Sequence, residues 1–376
     1  MQMSKKTHIL ILSSWYPTPN KPFLGNFVQR QAELLAKNYQ VTILNTVAVK
    51  EMKNIAIQEN KSGNIHLLSA LHPKGRSILS KRREQISAFN KGIRHIKNVD
   101  LIIGHVALPK AWQFIEAKKK YKCPLFYIEH GSFFRKETGL TFTFIEKYLL
   151  KQLNKKASEI IAVSDILKKD MEKVFGESEI KVIANHVDQK LFSLSPERKN
   201  DIPEFLHIST LDEKTKNPKG IIRAFSLLKK EGVSFHLTIV SDENSQSIQD
   251  YALSEEVNDK ITFIGPLQWE ETVPFYHNAD AFVLFSNYES FSIVLAESWM
   301  TGTPSISTPV GIASTENPQV GITVEKNNDQ MLMESLREIA LSPTSYDSKA
   351  IREFAKKYSS EFILNEWEQL ITKYVD

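Results

Sequence analysis

Two glutamates eight positions apart bound the stretch of this chain best equipped for chemistry, Glu289-Ser290-Phe291-Ser292-Ile293-Val294-Leu295-Ala296-Glu297. A strand-like run at 281–285 precedes them, and a Thr-Gly-Thr-Pro turn from Thr301 to Pro304 follows. On one continuous helix, eight residues span about 12 Å and rotate about 80°, so the two acids would not meet. The pattern instead predicts Glu289 in the loop after the strand, a helix starting near Ser292, and Glu297 two turns into it. The amides of Phe291, Ser292 and Ile293 then stand at a helix N-terminus, a ready anion site. Two acids for sugar hydroxyls thus flank donors suited to a diphosphate, which is the chemistry of a nucleotide-sugar site. The competing reading is a buried amphipathic helix carrying two ordinary surface glutamates.

Other candidates also sit where strands end. Ser209-Thr210-Leu211-Asp212 closes one strand, and Lys216-Asn217-Pro218-Lys219-Gly220 leads into a helix. The run 261–267 ends another strand at Gly265-Pro266-Leu267. Near the start of the chain, Trp15-Tyr16-Pro17 and then Gly25-Asn26-Phe27 precede a helix, and a glycine there allows backbone to approach a phosphate or sugar. A simple tight turn explains Gly25 equally well. His130 directly follows the apolar run 125–129 and precedes Gly131, at the carboxyl edge of a predicted parallel strand, where active sites of such sheets lie. His105 also ends a strand, and a packing role suits it as well. No Asp-x-Asp pair stands at a strand end and no His, Cys and Asp cluster has ligand spacing, so no metal is expected.

The elements that must position these residues alternate strand and helix almost throughout, which implies parallel sheets covered on both faces. Strands are expected at 8–13, 40–45, 65–69, 100–104, 125–129, 159–163 and 181–184, and again at 205–209, 236–241, 261–265, 281–285, 305–307 and 321–324. The polar, punctuated run from Gln189 to Glu204, with Ser193, Ser195, Pro196, Asn200, Asp201 and Pro203, reads as a linker. The fold class is therefore α/β, with two Rossmann-like doubly wound domains in tandem and a crevice between them at the carboxyl ends of their strands. An amphipathic helix with Phe362, Trp367 and Leu370 closes the chain.

At 376 residues the chain is long enough for two cores, and its 41% hydrophobic content suits a folded protein. A lone cysteine, Cys123, excludes an internal disulfide and fits a reducing compartment. The apolar run 9–12 is too short for a signal-peptide core or a membrane span, so a cytoplasmic location is expected. Net charge is +4 but unevenly spread: residues 1–195 hold 32 Lys and Arg against 16 Asp and Glu, or +16, and residues 196–376 hold 16 against 28, or −12. Such a field in the first half attracts anionic partners. With no nucleic-acid-binding module evident, peripheral contact with an anionic membrane, on the inner face of the cytoplasmic membrane, is the expectation.

The glutamate motif, with its Ser-Asn-Tyr-Glu-Ser-Phe lead-in and Gly-Thr-Pro exit, resembles the signature of the retaining glycosyltransferases of family four, which have the GT-B fold. The resemblance is strongest over 205–325 and is of the cell-envelope polysaccharide type. It implies an N-terminal acceptor-binding domain over 1–192, a nucleotide-sugar domain over 193–357, and a terminal helix, 358–376, crossing back onto the first. It implies transfer from a nucleoside-diphosphate sugar, the donor, to a glycan or lipid-linked acceptor, with no cofactor. Glu289 would hold sugar hydroxyls and Glu297 the ribose. Lys216 matches a family lysine that neutralises the diphosphate; the usual arginine is replaced by Thr210, with Lys214 and Lys219 as candidates to compensate. The loop from Gly265 to Leu267 would line the base pocket. His130 matches the family histidine that touches sugar or acceptor, while Gly25 stands where the family often has two glycines. After the motif, Thr308-Pro309-Val310-Gly311-Ile312 lacks the family's Gly-Gly pair, which weakens any role for that loop. Two other readings stay open: a nucleotide-sugar epimerase of similar shape, and a non-catalytic glycan-binding partner subunit.

Overall fold

The computed structural model describes residues 6–135, 138–176, 178–196, 201–314, 317–342 and 346–375. Its contacts divide the chain into two units: Met1–Val163, Lys168–Ile183 and Leu364–Asp376 form one, Ser164–Leu167 and Ala184–Ile363 the other. The described part of the expected linker groups with the second unit. There the Arg352 guanidinium donates to the carbonyls of Gln189 and Phe192, and Val187 bridges to Ser359. Positions 197–200, including Asn200, lie outside the described residues.

The first unit holds strands β1 (His8–Ser13), β2 (Gln40–Val49), β3 (Ala56–Ser62), β4 (Ile65–Pro73), β5 (Leu101–His105), β6 (Leu125–Glu129), β7 (Glu159–Ala162) and β8 (Ile180–Val182). They form one sheet in the order β3-β4-β2-β1-β5-β6-β7-β8. Helices α1 (Asn26–Leu35), α2 (Ile78–Ile93), α3 (Ala111–Tyr121), α4 (Phe144–Lys156) and α5 (Asp165–Phe175), the last grouped with this unit from Lys168 onward, connect them. β1, β5 and β6 are buried along their whole length, as strands covered on both faces are, so they read as nearly continuous apolar runs with polar residues only at their ends. β3 departs from the expected all-parallel arrangement, pairing antiparallel with β4 at the sheet edge. Its sequence, Ala-Ile-Gln-Glu-Asn-Lys-Ser, is exposed over its last five residues, so it lacks the apolar pattern by which strands are recognised.

In the second unit β9 (Glu204–Ile208), β10 (His236–Val240), β11 (Ile261–Ile264), β12 (Ala281–Leu284), β13 (Ser305–Ser307) and β14 (Gly321–Thr323) form a parallel sheet ordered β11-β10-β9-β12-β13-β14. Its helices are α6 (Glu213–Lys216), α7 (Pro218–Lys230), α8 (Gln246–Ser254), α9 (Val273–Asn278), α10 (Ile293–Met300), α11 (Asp329–Leu341), α12 (Ser348–Ala355) and the start of α13 (Ser360–Thr372). Phe205, Phe225, Phe235, Ile239, Val283 and Leu336 anchor its core. The strand order reverses direction between β9 and β12, a topological switch point, and ligands of open α/β sheets bind outside the strand carboxyl ends at such a point. The two loops that leave there are the ones bearing Lys216 and Glu289.

Candidate active site

The loop after β12 carries Glu289 into contact with the loop after β9. Lys216 Nζ donates to Glu289 Oε1 at 2.6 Å, and Ser286 Oγ donates to the same oxygen at 2.9 Å. Backbone ties hold the two loops in register: Asn287 N donates to the Thr215 carbonyl at 2.8 Å, and Asn287 Nδ2 to the Lys214 carbonyl at 2.9 Å. Lys216 reaches this position because Asp212 caps the short helix α6, its side chain accepting from Thr215 N. Asn217 then turns left-handed (φ 50°) and caps α7, which opens with Pro218 at its first turn. The lysine is thereby fixed at the hinge between two helices, beside a nearly buried carboxylate.

Helix α10 begins at Ile293, as the spacing predicted, with Ser292 as its left-handed N-cap (φ 74°, ψ 82°). The amides of Phe291, Ser292 and Ile293 donate to no other group among the described residues, and the buried Ser292 Oγ has no hydrogen-bond partner there. Left-handed backbone outside glycine costs on the order of 1 kcal/mol. It recurs at Leu211 (φ 56°) in the partner loop, so both loops at the switch point are held under local strain. Glu297 lies one turn into α10 rather than two, because the helix starts only four residues before it. It is buried, and the Tyr276 hydroxyl donates to its Oε2 at 3.0 Å.

Thr210 is exposed. Of the lysines that could replace the absent arginine's charge, Lys219 lies 5.3 Å over the Tyr251 ring. Gly265 and Leu267 follow the edge strand β11; Gly265 is exposed, and a Cβ there would meet nothing within 4 Å. Nothing about that backbone demands a glycine.

The loop discounted in the sequence turns out to brace the site. Gly311 is left-handed (φ 53°), and a Cβ there would stand 2.3 Å from the Phe291 carbonyl oxygen and 3.1 Å from Glu289 Cβ. The next amide, Ile312 N, donates to that same carbonyl at 2.9 Å. The single glycine of Thr-Pro-Val-Gly therefore suffices, and Val310 is simply buried. Sequence reasoning also missed Ser286 and Tyr276, whose hydroxyls hold the two glutamates. Neither has a spacing of its own to betray it.

In the first unit His130 sits at the carboxyl end of β6. Its ring stacks on Phe27 (centroids 4.2 Å apart) and its Nε2 lies 3.0 Å from His105 Nδ1. Burial alone lowers the His105 pKa to about 3, so that imidazole is neutral and packs in the core. The turn carrying His130 is anchored by Glu129, which accepts from the amides of His130 and Gly131 at 2.8 and 2.6 Å and from the Tyr127 hydroxyl. Burial raises the Glu129 carboxyl to about 7, the hydrogen bonds opposing. Gly25 is the left-handed N-cap of α1 (φ 70°), and a Cβ there would lie 2.6 Å from the Trp15 backbone. Packing of its own turn accounts for that glycine. Among the described residues no group of three or more His, Cys, Asp and Glu could hold a metal ion.

Two family models match the chain in succession, "Glycosyltransferase Family 4" over 24–191 and "Glycosyl transferases group 1" over 189–358. A glycogen synthase from Mycobacterium tuberculosis is 26% identical over 234 residues, covering 61% of this chain and 54% of its own length, so the chain spans about half of that relative. The capsular polysaccharide biosynthesis glycosyltransferase CapM of Staphylococcus aureus is 24% identical over 265 residues, 64% of this chain and 67% of CapM. Among solved structures, Alr3699/HepE of Anabaena in complex with UDP superposes with a TM-score of 0.74 at 16% identity, covering 98% of this chain and 100% of that one. Together the two models span residues 24–358, so the chain is built from two glycosyltransferase-type domains and has the GT-B fold.

Proposed function

We propose that this protein transfers a hexosyl group from a nucleoside-diphosphate sugar to a glycan or lipid-linked acceptor, with retention of configuration and without a metal, in cell-envelope polysaccharide synthesis. The observation that carries this reading is Glu289, held by Lys216 and Ser286 beside the unused amides at the start of α10. Glu289 orients sugar hydroxyls. Lys216 and those amides take the charge that grows on the diphosphate as the bond from C1 to the leaving oxygen breaks. The acceptor oxygen bonds to C1 on the same face, and its proton passes to the leaving phosphate oxygen. Such catalysis works by positioning and preorganised charge. Glu297 with Tyr276 holds the ribose and the loop from Gly265 to Leu267 the base, and His130 is assigned to sugar or acceptor by its match to the family histidine. The UDP of the Anabaena relative and the capsular role in the CapM name support donor class and pathway. The basic first unit, by its charge, meets an anionic membrane peripherally.

The replacement of the usual arginine by exposed Thr210 favours one rival, a catalytically silent partner subunit. The test is release of nucleoside diphosphate from a panel of nucleotide sugars, with excess chelator in a parallel arm. The expected result is turnover that survives chelator and vanishes in Glu289→Ala with the fold intact. A folded wild-type protein that neither releases the diphosphate nor is thermally stabilised by any donor supports the silent subunit. Loss in chelator restored by magnesium or manganese overturns the metal-free assignment.

A further inference from the structure

Two helix starts in the first unit expose large apolar side chains in a basic surround. Ile78 and Leu79, at the first turn of α2, are 83% and 81% exposed, and Lys81, Arg82 and Arg83 follow on the next turn, all exposed. A shallow groove of about 490 Å³ runs along this face, lined by Leu79, Arg82, Arg83 and Ile86. At the start of α4, Phe144 is 87% exposed, and Leu140, Ile145 and Tyr148 are exposed beside it. Lys147 and Lys151 stand exposed on the same helix. Both starts are firmly built. Ser77 and Thr143 each close a capping box, with Ser80 and Glu146, so the apolar turns are ordered and not frayed ends.

The topology sets these two turns on one side of the sheet. α2 follows β4 and α4 follows β6, and a helix that follows a parallel strand starts at that strand's carboxyl end. Both connections run in the same direction along the sheet, which under the right-handed rule puts both helices on one face. α3 lies between them: Trp112 meets Phe89 of α2 edge to face at 5.2 Å, and α3 packs on α4. The exposed turns therefore rim the strand-end edge on which His130 sits. Small apolar tips on a basic ground match shallow insertion at a lipid interface, where buried apolar area adds to attraction for anionic headgroups. No helix among the described residues is long and apolar enough to cross a membrane.

We propose that the first turns of α2 and α4 are a docking surface that inserts Ile78, Leu79, Phe144, Ile145 and Tyr148 into the headgroup region of an anionic bilayer. The strand-end edge of the first unit then faces the leaflet, and the acceptor is one anchored in it. This deepens the proposed transferase reading and rests on it for the acceptor, while the docking itself stands on the first unit alone.

The experiment is co-sedimentation with phosphatidylcholine vesicles, with and without about a third phosphatidylglycerol, from low to high salt. The proteins are the wild type, Ile78→Ser/Leu79→Ser, Phe144→Ser/Ile145→Ser, and Lys81→Gln/Arg82→Gln/Arg83→Gln. Each apolar pair should weaken binding to the anionic vesicles by about tenfold or more with the salt dependence kept. The charge variant should weaken binding and flatten its salt dependence. Donor hydrolysis, read as released nucleoside diphosphate, should stay at the wild-type level in all three. Vesicle binding unchanged by both apolar pairs, or equal on neutral and anionic vesicles, overturns the proposal. So does a change of oligomeric state in solution without a change in vesicle binding, which would assign the surface to a second copy of the chain. Absence of donor hydrolysis in the wild type would fail the transferase reading alone, since vesicle binding is read separately.

Discussion

Replacing Gly311 by alanine tests whether the loop after β13 sets the position of Glu289. Two costs arise. The backbone at φ 53° is left-handed, which a side chain tolerates at roughly 1–2 kcal/mol. The added methyl would also stand 2.3 Å from the Phe291 carbonyl oxygen and 2.8 Å from its carbon, so backbone must yield by about 1 Å to reach ordinary contact. That displacement strains the bond from Ile312 N to the same carbonyl, worth about 1 kcal/mol. The total is on the order of 2–3 kcal/mol of stability, which a folded domain survives. The larger effect falls on catalysis. Glu289 is two residues from the displaced carbonyl, and a 1 Å misplacement of a positioning group costs about 10²-fold in rate. Gly232→Ala supplies the control. It is also left-handed (φ 75°), but a Cβ there meets nothing within 4 Å, so it carries the backbone cost alone. Denaturant unfolding and nucleoside diphosphate release on both variants separate the terms. If Gly311→Ala turns over like Gly232→Ala, the loop does not brace Glu289 and the reasoning fails.

Lys216→Ala should lower kcat by about 10²-fold or more, and Ser286→Ala by less, because Glu289 keeps its cation; a larger loss in Lys219→Ala would move the diphosphate contact to that lysine. Tyr276→Phe deletes the donor to Glu297 Oε2 and should raise KM for the donor sugar with kcat nearly unchanged; an unchanged KM would remove Glu297 from the ribose. His105, lowered to about 3 by burial, binds its proton in the unfolded chain near pH 6.5 and in the folded one only near 3. Its contribution to stability is therefore complete above pH 6.5 and lost as pH falls toward 3, by about 1.4 kcal/mol per pH unit. The difference in unfolding free energy between wild type and His105→Gln should follow that slope across pH 6.5 to 4, and a flat difference would refute it.

The sequence by itself determined the fold class and the local elements that carry Glu289 and the helix after it. Strands buried on both faces are nearly continuous apolar runs, so His8–Ser13 and Leu125–Glu129 announce themselves by their central residues. The alternation with helices then leaves a doubly wound sheet as the solution. Placement of Glu289 in a loop and the helix start beside Ser292 followed from helical geometry alone. What local pattern does not contain is contact between distant residues. The edge strand Ala56–Ser62 exists because β4 offers it a backbone ladder and Gly63 a left-handed turn, not because its side chains are apolar. Ser286 and Tyr276 became part of the site only when strand order brought their hydroxyls to Glu289 and Glu297. Gly311 shows the same limit from the other side. As one glycine in a loop it looked dispensable, and only the carbonyl of Phe291, packed against it from twenty residues earlier in the chain, makes it necessary. Backbone propensity and burial are written locally, whereas steric exclusion and hydrogen-bond partnership belong to pairs of residues that only the folded chain brings together.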